Sequence, residues 1–247
     1  ALGVENIYVQ PAAHDAGTSL GAAMEAHYEV TGEAVPVHME DAHLGLGYSD
    51  DRIEETLKAF RVPYERRSNI AQDVAELLAD GNIVCWFQGR FEFGPRALGA
   101  RSILADPRSP AMKDRLNKLK RRQSWRPFGP SMLAGYEDEF FELAFESPFM
   151  LFTFPVKRDK WDVIPAVLHK DGTTRPQSVK KHVLPLYWET IDNFRKLTGV
   201  PMVVNTSFNT AYEPIVASPE DAVGSFLDLG ADVLAIGNFI VKRSALP

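Results

Sequence analysis

Residues 70–102 read IAQDVAELLADGNIVCWFQGRFEFGPRALGARS, and the order of features in that stretch decides the fold class. Its first part, residues 70–80, carries apolar side chains at helical spacing and stops at Gly81. Residues 83–88 follow as a continuous apolar run of strand length. Three glycines and a proline then shape an irregular loop around Arg90, Arg96 and Arg101. A helix, a buried strand and a shaped loop, in that order, make an α/β alternation.

The same grammar extends in both directions. Upstream, Ser49 caps a helix with Asp50 and Asp51 in its positive first turn and Ile53, Leu57 and Phe60 on one face. Residues 35–48 have no clear period and include Gly45 and Gly47, which reads as a connection. Before it, residues 6–10 read as a short strand ending at Pro11, and residues 19–28 as a small-residue helix ended near Gly32. Downstream, Ser109-Pro110 starts a helix with proline at the first helical position. Residues 186–197 form a helix closed by Gly199, and residues 202–205 a strand. Ser218-Pro219-Glu220-Asp221 opens a capped helix that ends at Gly230, and residues 233–236 and 239–242 close the chain as strands. The expected class is α/β (α+β), with a domain of roughly 200 residues.

A length of 247 residues fits one large domain, or one domain with an appendage. A hydrophobic content of 45% supports a sizeable core and excludes a disordered tail. No apolar run reaches the length of about 18 residues that a spanning helix needs, so no membrane segment is expected. The start, Ala1-Leu2-Gly3-Val4-Glu5, has neither an initiator Met nor the basic and apolar regions of a signal peptide. A piece of a longer chain is expected. The lone Cys85 excludes an internal disulfide and a multi-cysteine zinc site, and its apolar neighbours make it a buried strand thiol rather than a nucleophile. A reducing, cytoplasmic compartment is expected.

Charge is distributed unevenly. The chain carries a net −6, yet residues 90–126 hold eleven basic side chains: Arg90, Arg96, Arg101, Arg108, Lys113, Arg115, Lys118, Lys120, Arg121, Arg122 and Arg126. Only Glu92, Asp106 and Asp114 interrupt them. An acidic protein with one concentrated basic stretch is built to hold an anion there.

Four segments carry chemistry. In the loop of residues 88–102, glycines let backbone N–H groups approach an anion, and the forks of Arg90, Arg96 and Arg101 bind phosphate or carboxylate. It matches neither a Walker A loop nor a GxGxxG fingerprint. In KRRQSWRPFGP, residues 120–130, helix-end placement accounts for Arg121 and Arg122. Lys120 and Arg126 stand apart, because Trp125 and Phe128 are expected to desolvate Arg126 and so demand an anion beside it. Residues 168–178 place Thr173 and Thr174 ahead of Arg175, while the lone His169 reads as structural or solvent-facing. Residues 202–209 end a strand with Asn205, Thr206, Ser207 and Asn209, neutral groups suited to orienting a planar amide.

Together these segments resemble the carboxy-terminal region of the NodU/CmcH family of carbamoyltransferases. The stretches that carry the resemblance are GRFEFGPRALGARSI, KRRQSWRPFGP, HKDGTTRPQSV and NTSFNTAYEPIV, in order and over nearly the whole chain. The resemblance implies a YrdC-like twisted mixed sheet with flanking helices over residues 49–247. A linker at 35–48 and the strand–helix end of an actin-like metal domain at 1–34 would precede it. It implies that carbamoyl phosphate and ATP, with Mg²⁺, form carbamoyl adenylate in the YrdC-like pocket. The carbamoyl group then passes to a hydroxyl of an antibiotic, sugar or lipochitooligosaccharide acceptor in the first domain.

By the same resemblance, Lys120, Arg126 and Arg175 hold phosphates, and Asn205 and Ser207 flank the carbamoyl group and nucleotide. Arg90, Arg96, Arg101, Gln177 and Asn209 contribute to the same pocket. Ala211 departs from the glycine expected after Asn209-Thr210. Asp15 matches the aspartate that ligates Fe²⁺ or a similar metal together with upstream histidines. By itself it reads as a helix N-cap, since tight metal binding needs three or four ligands. Two rival functions stay open: an RNA-binding module, in which the basic stretch meets phosphate backbone, and a non-catalytic domain that docks the metal domain.

Overall fold

The run at the centre of the sequence analysis becomes the centre of the sheet. In the computed structural model, which describes residues 8–35 and 39–246, β2 (Val84–Phe87) is buried along its whole length. A strand buried on both faces needs neighbours on both edges and helices above and below. It has β3 (Arg101–Ala105) antiparallel on one side and β9 (Val233–Ile236) parallel on the other. Beyond β9 lie β10 (Phe239–Lys242) and β1 (Glu65–Arg66). Beyond β3 lie β8 (Met202–Ser207), β4 (Gly129–Leu133) and β7 (Gln177–Val179). The eight strands form one mixed sheet, and β5 (Phe154–Pro155) pairs separately with β6 (Thr173–Thr174).

The helices are α1 (Thr18–Thr31), α2 (Asp50–Ala59), α3 (Ile70–Ala79), α4 (Pro110–Leu119), α5 (Glu137–Phe140), α6 (Pro185–Thr198) and α7 (Pro219–Leu229). Their ends follow the expected chemistry. Ser49 accepts from Arg52 N, Gly199 and Gly230 close α6 and α7 in left-handed geometry, and Ser218 with Asp221 forms a capping box. Helix α3 packs on α6, and α2 on α7, giving one core that also holds Trp86, Cys85 and Phe226. Burial pushes the Cys85 thiol far above its ordinary range, as befits a structural thiol. No described helix is long and apolar enough to cross a membrane.

Several expectations need correction. Residues 8–10 are not in a strand, and residues 6 and 7 lie outside the described residues. Phe60 does not join Ile53 and Leu57 in the core but caps α2 at 40% exposure, because Arg61 turns left-handed (φ 55°) and ends the helix. Asp15 is no N-cap. His14 caps the short turn Asp15–Gly17 through Nδ1, which accepts from Ala16 N. Strands β3, β4 and β7 lie where no strand was expected, since Arg101, Gly129, Pro130 and Gln177 disguise them.

Residues 42–46 run beside residues 91–93, with Gly45 N donating to Phe91 O, Phe91 N to Leu46 O and Phe93 N to Ala42 O. The 35–48 connection is therefore docked onto the loop that follows β2 along its described part. Helix α1, by contrast, has no buried side chain over its 14 residues.

Candidate active site

A cleft of about 410 Å³ opens where the ends of β8 and β4 meet the lead-in to β7. Four arginines line it: Arg96, Arg122, Arg126 and Arg175. Among the described residues no carboxylate lines it. Gly129 lets the walls approach, because a Cβ there would lie 2.4 Å from Arg175 O. At Asn209-Thr210-Ala211, Thr210 N donates to Glu213 Oε1 and Asn209 Nδ2 to Glu213 O. Ala211 is not in the left-handed region, so the turn does not require glycine.

The floor is a fixed network. Asn205 Nδ2 donates to Ala97 O (3.0 Å) and Ser131 Oγ (2.8 Å), Ser131 Oγ donates to Gln177 Oε1 (2.7 Å), and Gln177 Nε2 donates to Leu98 O (2.8 Å). This pattern sets the Asn205 amide with its nitrogen inward and leaves Oδ1 buried without a partner. Arg96 Nε and Arg175 Nε are likewise buried and unpartnered. Among the described residues the Arg96 and Arg175 side chains make no hydrogen bond or ion pair, and guanidiniums that line a cleft without a carboxylate partner suit an anionic ligand.

Lys120 stands behind this floor. It is 4% exposed, and its Nζ donates to Ser207 O (2.6 Å), Asn209 O (2.9 Å) and Asn209 Oδ1 (3.0 Å). Burial, helped by repulsion from Arg122 and Arg126, pulls its ammonium down to about 7 despite those acceptors. Lys120 thus braces the Ser207–Asn209 segment from behind.

The loop at residues 121–128 is anchored by Asn117, which is 1% exposed. Asn117 Nδ2 donates to Ser124 O and Arg126 O, and its Oδ1 accepts from Arg122 Nε (2.7 Å). Arg122 stacks on Phe128, its Cζ 4.2 Å from the ring centroid. Burial and the nearby Arg126 lower Arg122 to about 10. This reverses the sequence argument for the segment. Arg126 and Trp125 are exposed, so the desolvated guanidinium on Phe128 belongs to Arg122, which helix-end placement had seemed to explain. Burial and the neighbouring Arg96 also hold Arg175 below its ordinary value.

Of the residues expected here, the structure brings Arg96, Arg126, Arg175, Asn205 and Ser207 to the cleft wall. Gln177 and Asn209 lie behind it, bonded to Asn205 and Lys120. Arg90 and Arg101 lie elsewhere. Arg90 donates to Gly45 O and Leu44 O. Arg101 is fully buried, donates to the carbonyls of Gln88, Gly89, Ala100 and Leu46, and stacks on Phe87 at 3.6 Å.

Glu92, which the sequence argument had treated only as a charge, organises the loop. Its Oε1 accepts from the backbone N–H groups of Leu98, Ala100 and Arg101. As the lone acid among that loop's arginines it was the available signal. His169 is structural, its Nδ1 3.2 Å from Thr173 Oγ1. Asp15 is exposed, and the described residues contain no group of three His, Cys, Asp or Glu side chains able to hold a metal. The described residues of this chain do not make a metal site by themselves.

The family model described as "Carbamoyltransferase C-terminus" matches residues 75–243. Nodulation protein NolNO of Sinorhizobium fredii is 47% identical over 98% of this chain and 37% of its own length. The 3'-hydroxymethylcephem-O-carbamoyltransferase of Amycolatopsis lactamdurans is 30% identical over 97% of this chain and 44% of its own. The chain thus spans less than half the length of these relatives. Among solved structures, Sua5 of P. abyssi in complex with L-threonine superposes with a TM-score of 0.51 at 12% identity, over 68% of this chain and 46% of that one. Full-length HypF in its phosphate- and nucleotide-bound form gives 0.50 at 20% identity, over 69% of this chain and 25% of that one. Those likenesses place the sheet among YrdC-like folds. With its cleft built from the segments the family model covers, this chain belongs to the carbamoyltransferase family of the NodU type and forms its carboxy-terminal, YrdC-like region.

Proposed function

We propose that the cleft binds carbamoyl phosphate and ATP and joins their products as carbamoyl adenylate, the activated donor of an O-carbamoyltransferase. The observation that carries this reading is a cleft whose Arg96 and Arg175 guanidiniums have no ion-pair or hydrogen-bond partner among the described residues and stand beside the buried amide of Asn205. Guanidiniums suit phosphate oxygens, and an amide oxygen suits the NH₂ of a carbamoyl group. The ligand class named for the HypF structure, phosphate and nucleotide, is the same.

In this reading water releases phosphate from carbamoyl phosphate to leave carbamate. A carbamate oxygen attacks the α-phosphorus of ATP, the bond to the β-phosphate oxygen breaks, and pyrophosphate leaves. Carbamate is already an anion, so the step needs charge stabilisation and alignment rather than a base. Arg96, Arg126 and Arg175 offset the repulsion of two anionic substrates, and Ser207 and Asn205 align the carbamoyl group. Mg²⁺ arrives on the ATP phosphates. Transfer to a hydroxyl acceptor belongs to the remainder of a longer protein. There, residues 1–34 would close the metal domain, Asp15 being one of several ligands and α1 part of that domain's fold.

The RNA-binding alternative loses its main support, because much of the basic stretch is already paired. Arg108 is held by Asp106, Arg115 by Asp232 and Gly81 O, and Lys120 and Arg101 are interior. The test is carbamoyl-phosphate-dependent exchange of labelled pyrophosphate into ATP. Arg175→Ala is expected to lower exchange by about 100-fold or more. Exchange unchanged by that substitution would remove the assignment.

A further inference from the structure

The cleft is polarised from rim to floor. Pro95, Trp125, Arg126 and Pro127 line its exposed side, Arg96, Arg175, Thr206 and Ser207 are half-buried, and Asn205, Phe128 and Met150 are buried. A ligand that fits such a gradient has a flat, weakly polar head and an anionic tail.

Trp125 is the conspicuous element of the rim. It is 73% exposed. The other three tryptophans are committed: Trp86 Nε1 donates to Gly99 O, Trp161 Nε1 donates to Val156 O, and Trp188 lies under Lys181 Nζ. Among the described residues Trp125 alone of the four has neither a ring partner nor a side-chain hydrogen bond. The backbone that carries it is anchored, because Asn117 holds the carbonyls of Ser124 and Arg126 on either side of it. A large indole face, uncovered on an anchored loop at the mouth of a cationic cleft, is suited to stacking.

We propose that Trp125 binds the nucleobase of the ATP, stacking on the purine while the phosphates run past Arg126 inward to Arg96 and Arg175. This rests on the nucleotide reading of the cleft and adds an orientation to it, with the base at the rim and the α-phosphate toward Asn205 and Ser207. Stacking uses a π-face that every base has, so Trp125 supplies affinity for a nucleotide over a bare polyphosphate.

The experiment is calorimetric titration of the full chain with Mg-ATP and, separately, with Mg-tripolyphosphate, which has the anionic tail and no base. Trp125→Ala is expected to weaken ATP about tenfold and to leave tripolyphosphate within about twofold, since the arginines are untouched. Trp125→Phe, which restores an aromatic face, should recover most of the loss. Equal losses for both ligands, or none for either, would overturn the role of Trp125 while leaving the anion site standing. Absence of ATP binding to the unaltered chain would overturn the nucleotide reading and this inference with it.

Discussion

Arg101→Ala is expected to lower the free energy of unfolding by about 3–5 kcal/mol, the cost of breaking a buried, hydrogen-bonded charge site. Its guanidinium reaches the carbonyls of Gln88, Gly89, Ala100 and Leu46, tying the turn after β2 to the 42–46 segment. Alanine leaves those acceptors without their donor and opens a cavity over Phe87. Burial also lowers the Arg101 guanidinium to about 10, so the cation is held at a desolvation cost. Arg101→Met keeps a stem against Phe87 without a charge and should recover part of the loss. Urea denaturation measures both. A phosphate ligand role would give the opposite pattern, with stability kept and anion binding lost.

Lys120→Met is expected to reduce carbamoyl-phosphate-dependent exchange by about 100-fold or more while changing stability far less. The reason for the split is that Lys120 resides in the folded protein against its own solvation, as its value of about 7 records. Replacing a desolvated charge with an apolar side chain of similar length removes that cost along with the hydrogen bonds to Ser207 and Asn209.

The pH dependence follows. Between about 7 and the ordinary 10.5, the unfolded chain holds a proton at Lys120 that the folded chain has released. Stability therefore rises with pH across that window, by at most about 1.4 kcal/mol per pH unit. Below about 7 both states hold the proton and the contribution is flat. Lys120→Met should abolish this slope in unfolding measurements from pH 7 to 10. A bound phosphate favours the ammonium, so anion binding at pH 8 should take up a proton, detectable by calorimetry in buffers of different ionisation enthalpy.

How far the sequence disclosed this depended on whether a residue's role was local. Helix α3, strand β2 and the caps at Ser49, Ser218, Gly199 and Gly230 were legible, because spacing and capping are short-range properties. Strands β3 and β4 were hidden, because Arg101 and Gly129-Pro130 belong to a strand only through partners such as Ser207 on β8, about a hundred residues from Ser102 along the chain. The site divided in the same way. Arg96, Arg126, Arg175, Asn205 and Ser207 were reached through the resemblance and do converge. Arg101 and Arg122 both departed from expectation, Arg101 leaving the cleft and Arg122 joining it. An arginine's sequence neighbours do not say whether its fork meets carbonyls, as for Arg101, or joins a cleft wall above Phe128, as for Arg122. Asn117 gave no sequence signal as the anchor of the Trp125–Arg126 loop, because its three side-chain bonds close across a turn that forms only when the chain folds.

The most direct measurement is combined ³¹P and ¹³C nuclear magnetic resonance of the chain with Mg-ATP and carbamoyl phosphate labelled at its carbonyl carbon. Activation in this cleft predicts pyrophosphate and orthophosphate appearing together, with a carbonyl signal coupled to the α-phosphate of AMP, all lost in Arg175→Ala. ATP that stays intact while carbamoyl phosphate decays at its solution rate, or that is cleaved to ADP and phosphate with no pyrophosphate, would contradict it.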